Sequence, residues 1–399
     1  MKTELPDGWK LMKLVDVSTS IAAGGTPLRA QREYWDNGTI NWLKISDMKS
    51  TYISKTEEKI TEKGLENSSA KLFPKGTIVY SIFATLGAIG ILSIQCTTNQ
   101  AIVGIVPNEK IILRKYLYYC LQAEKAHILS KKSHATQDNL NLTILKNHEI
   151  PIPELPVQQK IISILEKAER LIELRKNANR LTSEFVQSSF NTLFGNPKNN
   201  HKKLSMGKIR DLVISADYGS SQKASEKDGN FPILRMNNIT YAGKWEFGDL
   251  KYINIEDDES KYLVNYGDLL FNRTNSKELV GKCAVFRMKK PMAFAGYLVK
   301  LKTKNKAISE YIAAYLNSTY GKAILFNKAK NIVGMANINA QEVQEIPILM
   351  PRDSYALKKF NDIVDSVEKL YNYQNQSEIE ISNLFNSIMI FAFKGGIVC

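Results

Sequence analysis

The sequence predicts an α+β protein built as two tandem mixed α/β domains, each followed by a long helix, with the two helices pairing as an antiparallel coiled coil. Three observations predict it. The chain repeats itself at a spacing of about 195 residues, far longer than the units of solenoids. Each copy carries short apolar runs rich in β-branched residues and punctuated by glycine, the pattern of buried strands. Each copy ends in a long stripe of apolar residues at helical spacing. The boundaries fall at residues 1–150 for the first domain, 151–195 for its helix, 196–350 for the second domain and 351–399 for the last helix.

The repeat is legible segment by segment. Lys13-Leu14-Val15-Asp16-Val17 returns as Lys208-Ile209-Arg210-Asp211-Leu212, and INWLKISDM at 40–48 returns as FPILRMNNI at 231–239. Residues 74–80 match 265–271, residues 116–122 match 311–317, and Glu149-Ile150-Pro151-Ile152 matches Glu345-Ile346-Pro347-Ile348. Residues 77–107 carry no charge and could suggest a membrane span, but Gly87, Gly90 and Gly104 break the run. The second copy of that stretch continues Asn272-Arg273-Thr274-Asn275-Ser276-Lys277-Glu278, which could not cross a bilayer. Strands joined by turns are the better reading.

After Pro156, residues Ile161, Ile162, Ile164, Leu165, Ala168, Leu171, Ile172 and Leu174 make one helical stripe, which runs toward the stop Gly195-Asn196-Pro197. Asp353 or Ser354 caps a second helix carrying Leu357, Phe360, Ile363, Val364, Val367, Leu370 and Tyr371. Each spans ~50 Å at 1.5 Å per residue, more than one domain needs to cover its own sheet. A stripe that long calls for a partner, and the other helix supplies one.

Composition narrows the function. Lys and Arg number 54 against 40 Asp and Glu, a net charge of +14, which favours a polyanionic partner such as nucleic acid or an anionic membrane. The 44% hydrophobic share is that of an ordinary folded protein. Cys96, Cys120, Cys283 and Cys399 lie far apart with no metal-ligand spacing, so neither disulfides nor zinc are expected. The first residues lack the sections of a secretory signal, and a cytoplasmic location is expected. No GxGxxG occurs, and Gly207-Lys208, Gly281-Lys282 and Gly321-Lys322 are not followed by Ser or Thr as a P-loop requires. His127, His134, His148 and His201 have no metal-binding spacing. Asp7 with Glu57-Glu58-Lys59 offers a loose carboxylate-plus-lysine pattern for a stand-alone Mg²⁺-dependent DNA endonuclease, the alternative reading. No catalytic and no metal-binding residue is expected.

Leu5-Pro6-Asp7-Gly8-Trp9, the loop Gly25-Thr26-Pro27, Ser46-Asp47 at a strand end, and Ile150-Pro151-Ile152-Pro153 leading into Gln159-Lys160-Ile161-Ile162 resemble the specificity subunits of type I restriction-modification systems. The resemblance covers almost the whole chain. It implies two variable target-recognition domains alternating with two conserved helices. The partners it implies are double-stranded DNA, two methyltransferase subunits and restriction or translocase subunits, with no membrane. S-adenosylmethionine, ATP and Mg²⁺ would then belong to those partners, and this chain would carry no cofactor. Two departures stand out: Gln158 occupies a position usually acidic, and the second copy reads Pro351-Arg352-Asp353-Ser354.

Duplex reading needs Arg or Lys for guanine, Asn or Gln for adenine, and short donors for phosphate. In the first domain the candidates are Thr26, Arg29, Lys44, Ser46, Asp47, Thr85, Asn99 and Gln100, with Lys131, Lys132, Thr136 and Gln137 in a basic loop. In the second they are Ser220, Ser221, Gln222, Arg235, Asn237, Asn238, Arg273, Asn275, Lys328 and Lys330. Any single one could equally be solvated surface. Arg235, Asn237 and Arg273 are favoured because they follow apolar runs at matching places in the repeat.

Overall fold

A computed structural model describes residues 5–83, 85–130, 140–332 and 335–396. The chain divides into two compact units, Met1–Arg175 with Ser377–Cys399, and Lys176–Gln376. Each long helix therefore gives one half to each unit.

Unit 1 begins with strands β1 (Lys10–Lys13), β2 (Ser18–Ala23), β3 (Ile40–Leu43), β4 (Tyr52–Ile53) and β5 (Glu58–Ile60), then the short helix α1 (Glu62–Glu66). The uncharged stretch becomes β6 (Ile78–Ser81), β7 (Ile89–Leu92), β8 (Thr97–Thr98) and β9 (Ile102–Pro107), as its glycines and β-branched residues imply. No helix among the described residues is long and apolar enough to cross a membrane. Then come α2 (Arg114–Ala123), α3 (Lys125–Ser130), α4 (Leu142–Lys146), β10 (Glu149–Ile152) and the start of α5 (Leu155–Phe194).

A five-stranded sheet in the order β2-β9-β6-β7-β4 is joined by the three-stranded β5-β3-β8 and the pair β1-β10. Alternation along a strand explains how one sheet serves two cores. Ile78 and Tyr80 of β6 face a cluster with Tyr116 and Leu117 of α2, whereas Val79 faces one with Leu43 and Phe73. The larger cluster also takes Ile161 and Leu165 of α5 together with Phe385, Met389 and Phe393 of the last helix.

Unit 2 continues with β11 (Met206–Lys208), β12 (Val213–Tyr218), β13 (Phe231–Leu234), β14 (Lys251–Ile253), β15 (Leu263–Val264), β16 (Leu269–Asn272), β17 (Thr274–Asn275) and β18 (Cys283–Val285). It goes on through β19 (Met292–Phe294), β20 (Leu298–Thr303), α6 (Lys306–Asn317), α7 (Thr319–Lys328), β21 (Lys330–Ile332), β22 (Met335–Asn337), α8 (Ala340–Gln344) and β23 (Pro347–Leu349) into α9 (Ser354–Phe393). The order β12-β20-β16-β18 repeats β2-β9-β6-β7, and β14-β13-β19 repeats β5-β3-β8. Even the parallel pairing recurs, Leu43 with Thr98 in β3-β8 and Leu234 with Phe294 in β13-β19. The duplication read from sequence is a duplication of topology.

Both long helices have 40 residues, ~60 Å at 1.5 Å per residue and so about two turns more than the stripes suggest. Gly195, at φ +86°, ends α5 in the left-handed conformation that glycine adopts freely. Asp353 caps α9, its Oδ1 accepting from the Tyr355 N–H at 2.7 Å. Within unit 2 the helices run antiparallel: Phe190 and Phe194 pack their rings on Phe360, while Thr182, two turns earlier, meets Gln374 farther along α9. The pairing expected from the two stripes is present.

Candidate nucleic-acid interface

The two units build the same turn. In unit 1, β3 ends at Leu43 and a single 3₁₀ turn follows. Asp47 Oδ2 accepts from the Lys44 N–H at 3.0 Å, and the Asp47 N–H donates back to the Lys44 carbonyl at 3.0 Å. In unit 2, Asn238 Oδ1 accepts from the Arg235 N–H at 2.9 Å and its own N–H returns to the Arg235 carbonyl at 3.0 Å. A side chain that accepts locally is what Asp and Asn share, so one backbone form tolerates both. It offers the first residue of the turn, a cation, at the end of a strand.

In unit 1 that cation is not free. Lys44 Nζ lies 2.8 Å from Glu58 and 3.1 Å from Glu57, and Arg29 reaches the other Glu58 oxygen at 2.5 Å. Donating to Glu58 and then to Glu57 raises the Lys44 pKa. Burial works to raise that of Glu58, but Arg29 and Lys44 outweigh it and hold the carboxyl below its usual range. The Arg29 guanidinium stacks 3.7 Å from the Trp35 ring and 4.7 Å from that of Trp42. Thr26 hydrogen-bonds Gln100, joining the loop after β2 to the one before β9. The close approach of these two loops requires Gly24, since a Cβ there would sit 2.1 Å from the Thr98 carbonyl oxygen. Asn99 turns its Oδ1 onto the Ala101 N–H at 3.1 Å, and Ser46 is exposed. Thr85 lies exposed in the β6–β7 turn, its carbonyl accepting from Ser81.

Unit 2 gathers its candidates more tightly. Ser220, Ser221, Gln222, Arg235, Asn237 and Arg273 line one cleft of about 950 Å³. Arg273 donates to the Gly296 carbonyl at 3.4 Å and stacks 4.9 Å from the Tyr218 ring. Ser220 is buried and accepts from the Gln222 N–H at 3.2 Å, while Gln222 reaches Glu259 at 3.3 Å. Asn238 is also buried and uses its amide to hold the turn, donating to the Glu246 carbonyl at 2.8 Å. Asn275 donates weakly to the Met236 sulfur at 3.9 Å. Lys328 ends α7, half-buried. Lys330 starts β21, and its side chain, like Lys131, Lys132, Thr136 and Gln137, lies outside the described residues.

The sequence reading missed four contributors. Asp249 binds Arg235 at 2.8 Å. Lys282, buried, donates from Nζ to the Met236 carbonyl at 2.6 Å, and burial pushes its pKa down. Exposed Tyr218 and Tyr297 present rings at the cleft. Each tyrosine adjoins a glycine in a loop, which is a usable signal for an aromatic platform. The carboxylates set aside as a nuclease pattern have another employment: Glu58 neutralises Arg29 and Lys44, and no group of three or more His, Cys, Asp or Glu among the described residues is placed to hold a metal ion.

A family model described as the type I restriction modification DNA specificity domain matches twice, over residues 6–181 and 202–383. The specificity subunit of the type I restriction enzyme MjaIX from Methanocaldococcus jannaschii is 32% identical over 397 residues, covering 94% of this chain and 90% of that one. The EcoR124I/EcoR124II specificity subunit from Escherichia coli is 32% identical over 154 residues, 37% of this chain and 38% of its own. Among solved structures, a chain from a study of assembly and conformational transition in a type I system superposes with a TM-score of 0.63 at 16% identity, covering 99% of this chain and 100% of that one. The S subunit of a type I system from M. genitalium gives 0.54 at 13%, covering 98% of each. The twofold domain match and the near full-length likeness to a specificity subunit agree with the duplicated topology, and this chain belongs to the type I restriction modification DNA specificity family.

Proposed function

We propose that this chain reads a DNA target made of two unlike half-sites, one per recognition domain, without carrying out catalysis itself. The observation that carries this reading is the shared turn with unlike chemistry. Lys44-Ile45-Ser46-Asp47 and Arg235-Met236-Asn237-Asn238 occupy equivalent places at the ends of β3 and β13. The same frame would meet DNA twice in the same manner, and different side chains would select different bases. The +14 net charge supports binding that weakens with salt as counterions are released.

Partners complete the reading. In unit 2 the two long helices leave an open apolar groove of about 690 Å³ that includes Leu181, Phe185, Val367 and Leu370. In unit 1 Leu171, Leu174, Leu384 and Phe391 of the same helices are exposed. Exposed apolar helix faces of this kind are docking surfaces. Each would receive one methyltransferase subunit, and restriction or translocase subunits would join that assembly, with the paired helices as spacer. The unlike sequences around Gln158 and Arg352 favour unequal affinities. S-adenosylmethionine, ATP and Mg²⁺ would be bound by those partners, in the cytoplasm.

The test is a map of methylated positions in genomic DNA from cells carrying the complete system, with and without this gene. Replacing residues 1–150 by the corresponding domain of a relative should change one half-site and leave the other intact. Changes in both half-sites, or in neither, would overturn the reading. Cleavage of DNA by the purified chain with Mg²⁺ alone would restore the endonuclease alternative.

A further inference from the structure

Asp249 precedes β14, which pairs antiparallel with β13, so the strand register delivers its carboxylate beside the turn that follows β13. Three side chains of that turn converge on it. Arg235 donates from one terminal nitrogen to Asp249 Oδ2 and to the Asp249 carbonyl, both at 2.8 Å. Asn237 donates to the same Oδ2 at 3.1 Å, and Asn238 donates to the carbonyl at 3.3 Å. Unit 1 reaches a similar pairing from a different position: Glu58 opens β5, the antiparallel neighbour of β3, stands opposite Trp42, two residues along from the place that matches Asp249, and still pairs with Lys44. In both units a carboxylate from the neighbouring strand thus meets the leading cation, although from different register positions.

Stability does not account for it. Asp249 is 68% exposed, and exposed ion pairs contribute little. Orientation does account for it. An unrestrained arginine loses considerable rotamer freedom when it docks on a base, and a partner that fixes it beforehand removes that penalty. One carboxylate oxygen holding both Arg235 and Asn237 also sets their spacing relative to each other. A negative charge at the mouth of a basic cleft repels phosphate, which disfavours sequence-independent contacts.

Resting on the reading that this cleft recognises DNA bases, we infer that Asp249 is a specificity-determining positioning residue. It holds Arg235 and Asn237 as one reading unit and keeps phosphate away from them, as Glu58 does for Lys44 and Arg29 in unit 1.

The test compares wild type with Asp249→Asn, Asp249→Ala and Asp249→Glu in the complete system, by methylated-site mapping and by binding of the assembled complex to a duplex carrying the mapped target and to random duplex. Asp249→Asn and Asp249→Ala should relax one half-site at one or two positions, leaving the other half-site and the distance between the two unchanged. The preference for target over random duplex should drop roughly five- to a hundredfold, the range one base contact supplies. Affinity for random duplex should rise. Asp249→Glu should recover much of the preference, and in an Arg235→Ala, Asn237→Ala background Asp249→Asn should relax the half-site no further. An unchanged motif, or equal weakening on both duplexes without relaxation, overturns the inference while leaving the wider reading standing. A wild-type complex that does not distinguish its mapped target from random duplex overturns both.

Discussion

Gln374 of α9 donates a hydrogen bond from Nε2 to Thr182 Oγ1 of α5 at 3.0 Å, in the buried seam between the two helices of unit 2. A buried polar pair in a largely apolar seam fixes register more than it adds stability. Thr182→Val should strand the Gln374 amide and destabilise unit 2 by about 1–3 kcal/mol. Adding Gln374→Leu should return most of that loss. Calorimetry of the three proteins checks this, and a double variant no more stable than the single one would count against it.

Gln158 is buried at the start of α5. It donates to the Ile111 and Pro153 carbonyls, both at 2.9 Å, and accepts from the Leu113 N–H at 2.8 Å. All three bonds need an amide, so the departure from an acidic residue is matched to its surroundings. Gln158→Glu should place a carboxylate against two carbonyls and lower the stability of unit 1 by roughly 2–4 kcal/mol at neutral pH. Protonation would restore a donor, so the deficit should shrink as pH falls. A deficit independent of pH in thermal unfolding would refute this account.

Glu368 of α9 sits in a charged cluster with Lys244 at 2.6 Å and Arg287 at 3.7 Å, and Arg287 also pairs with Glu310. Burial works to raise the Glu368 pKa, but Arg287 and Lys244 prevail and lower it below 4.5. A carboxyl depressed in the folded state stabilises it above the unfolded value and stops doing so as pH falls through the folded one. Glu368→Gln should therefore cost about 3 kcal/mol at pH 7. The difference from wild type should close as the pH drops below 4.5. Melting temperatures across that range provide the check, and a gap that widens in acid would contradict the sign.

Arg273 lines the unit 2 cleft without a carboxylate partner among the described residues. Under the proposed function, Arg273→Ala should weaken binding to the mapped target roughly ten- to a hundredfold and random duplex much less. Equal losses on both, with a shallower salt dependence, would reassign it to a phosphate.

Phe185 is 55% exposed on the groove of unit 2. Phe185→Asp should reduce occupancy by methyltransferase subunits from two to one while leaving the isolated chain's melting temperature nearly unchanged. Native mass spectrometry of the assembled complex reads this directly, and an unaltered two-to-one species would remove the groove from the docking surface.

The buried strands and both long helices were legible from local periodicity, and the duplication from segments that recur about 195 residues apart. The polar ends of the two matching runs were also visible, though not that Asp47 and Asn238 close turns there from three residues away. What held the turns was not. Asp249 lies 14 residues from Arg235, and Lys282 lies 46 from Met236, so both contacts depend on strand register and packing that no periodicity reveals. Asn238 shows the converse: it has the right chemistry for reading adenine, and the fold buries it. Gln158 was noticed as a departure, but its purpose needed the loop at 111–113.

The way α5 and α9 are each divided between the units also sets an order of events during synthesis. Ile161 and Leu165 share their core with Phe385 and Met389, which leave the ribosome roughly 220 residues later. At about 5–20 residues per second that is a wait of roughly ten to forty seconds. Throughout it the first-made domain carries an uncovered apolar stripe, open to chaperones and proteases. A message cut short within α9 would thus leave its damage in the part of the protein that was translated first.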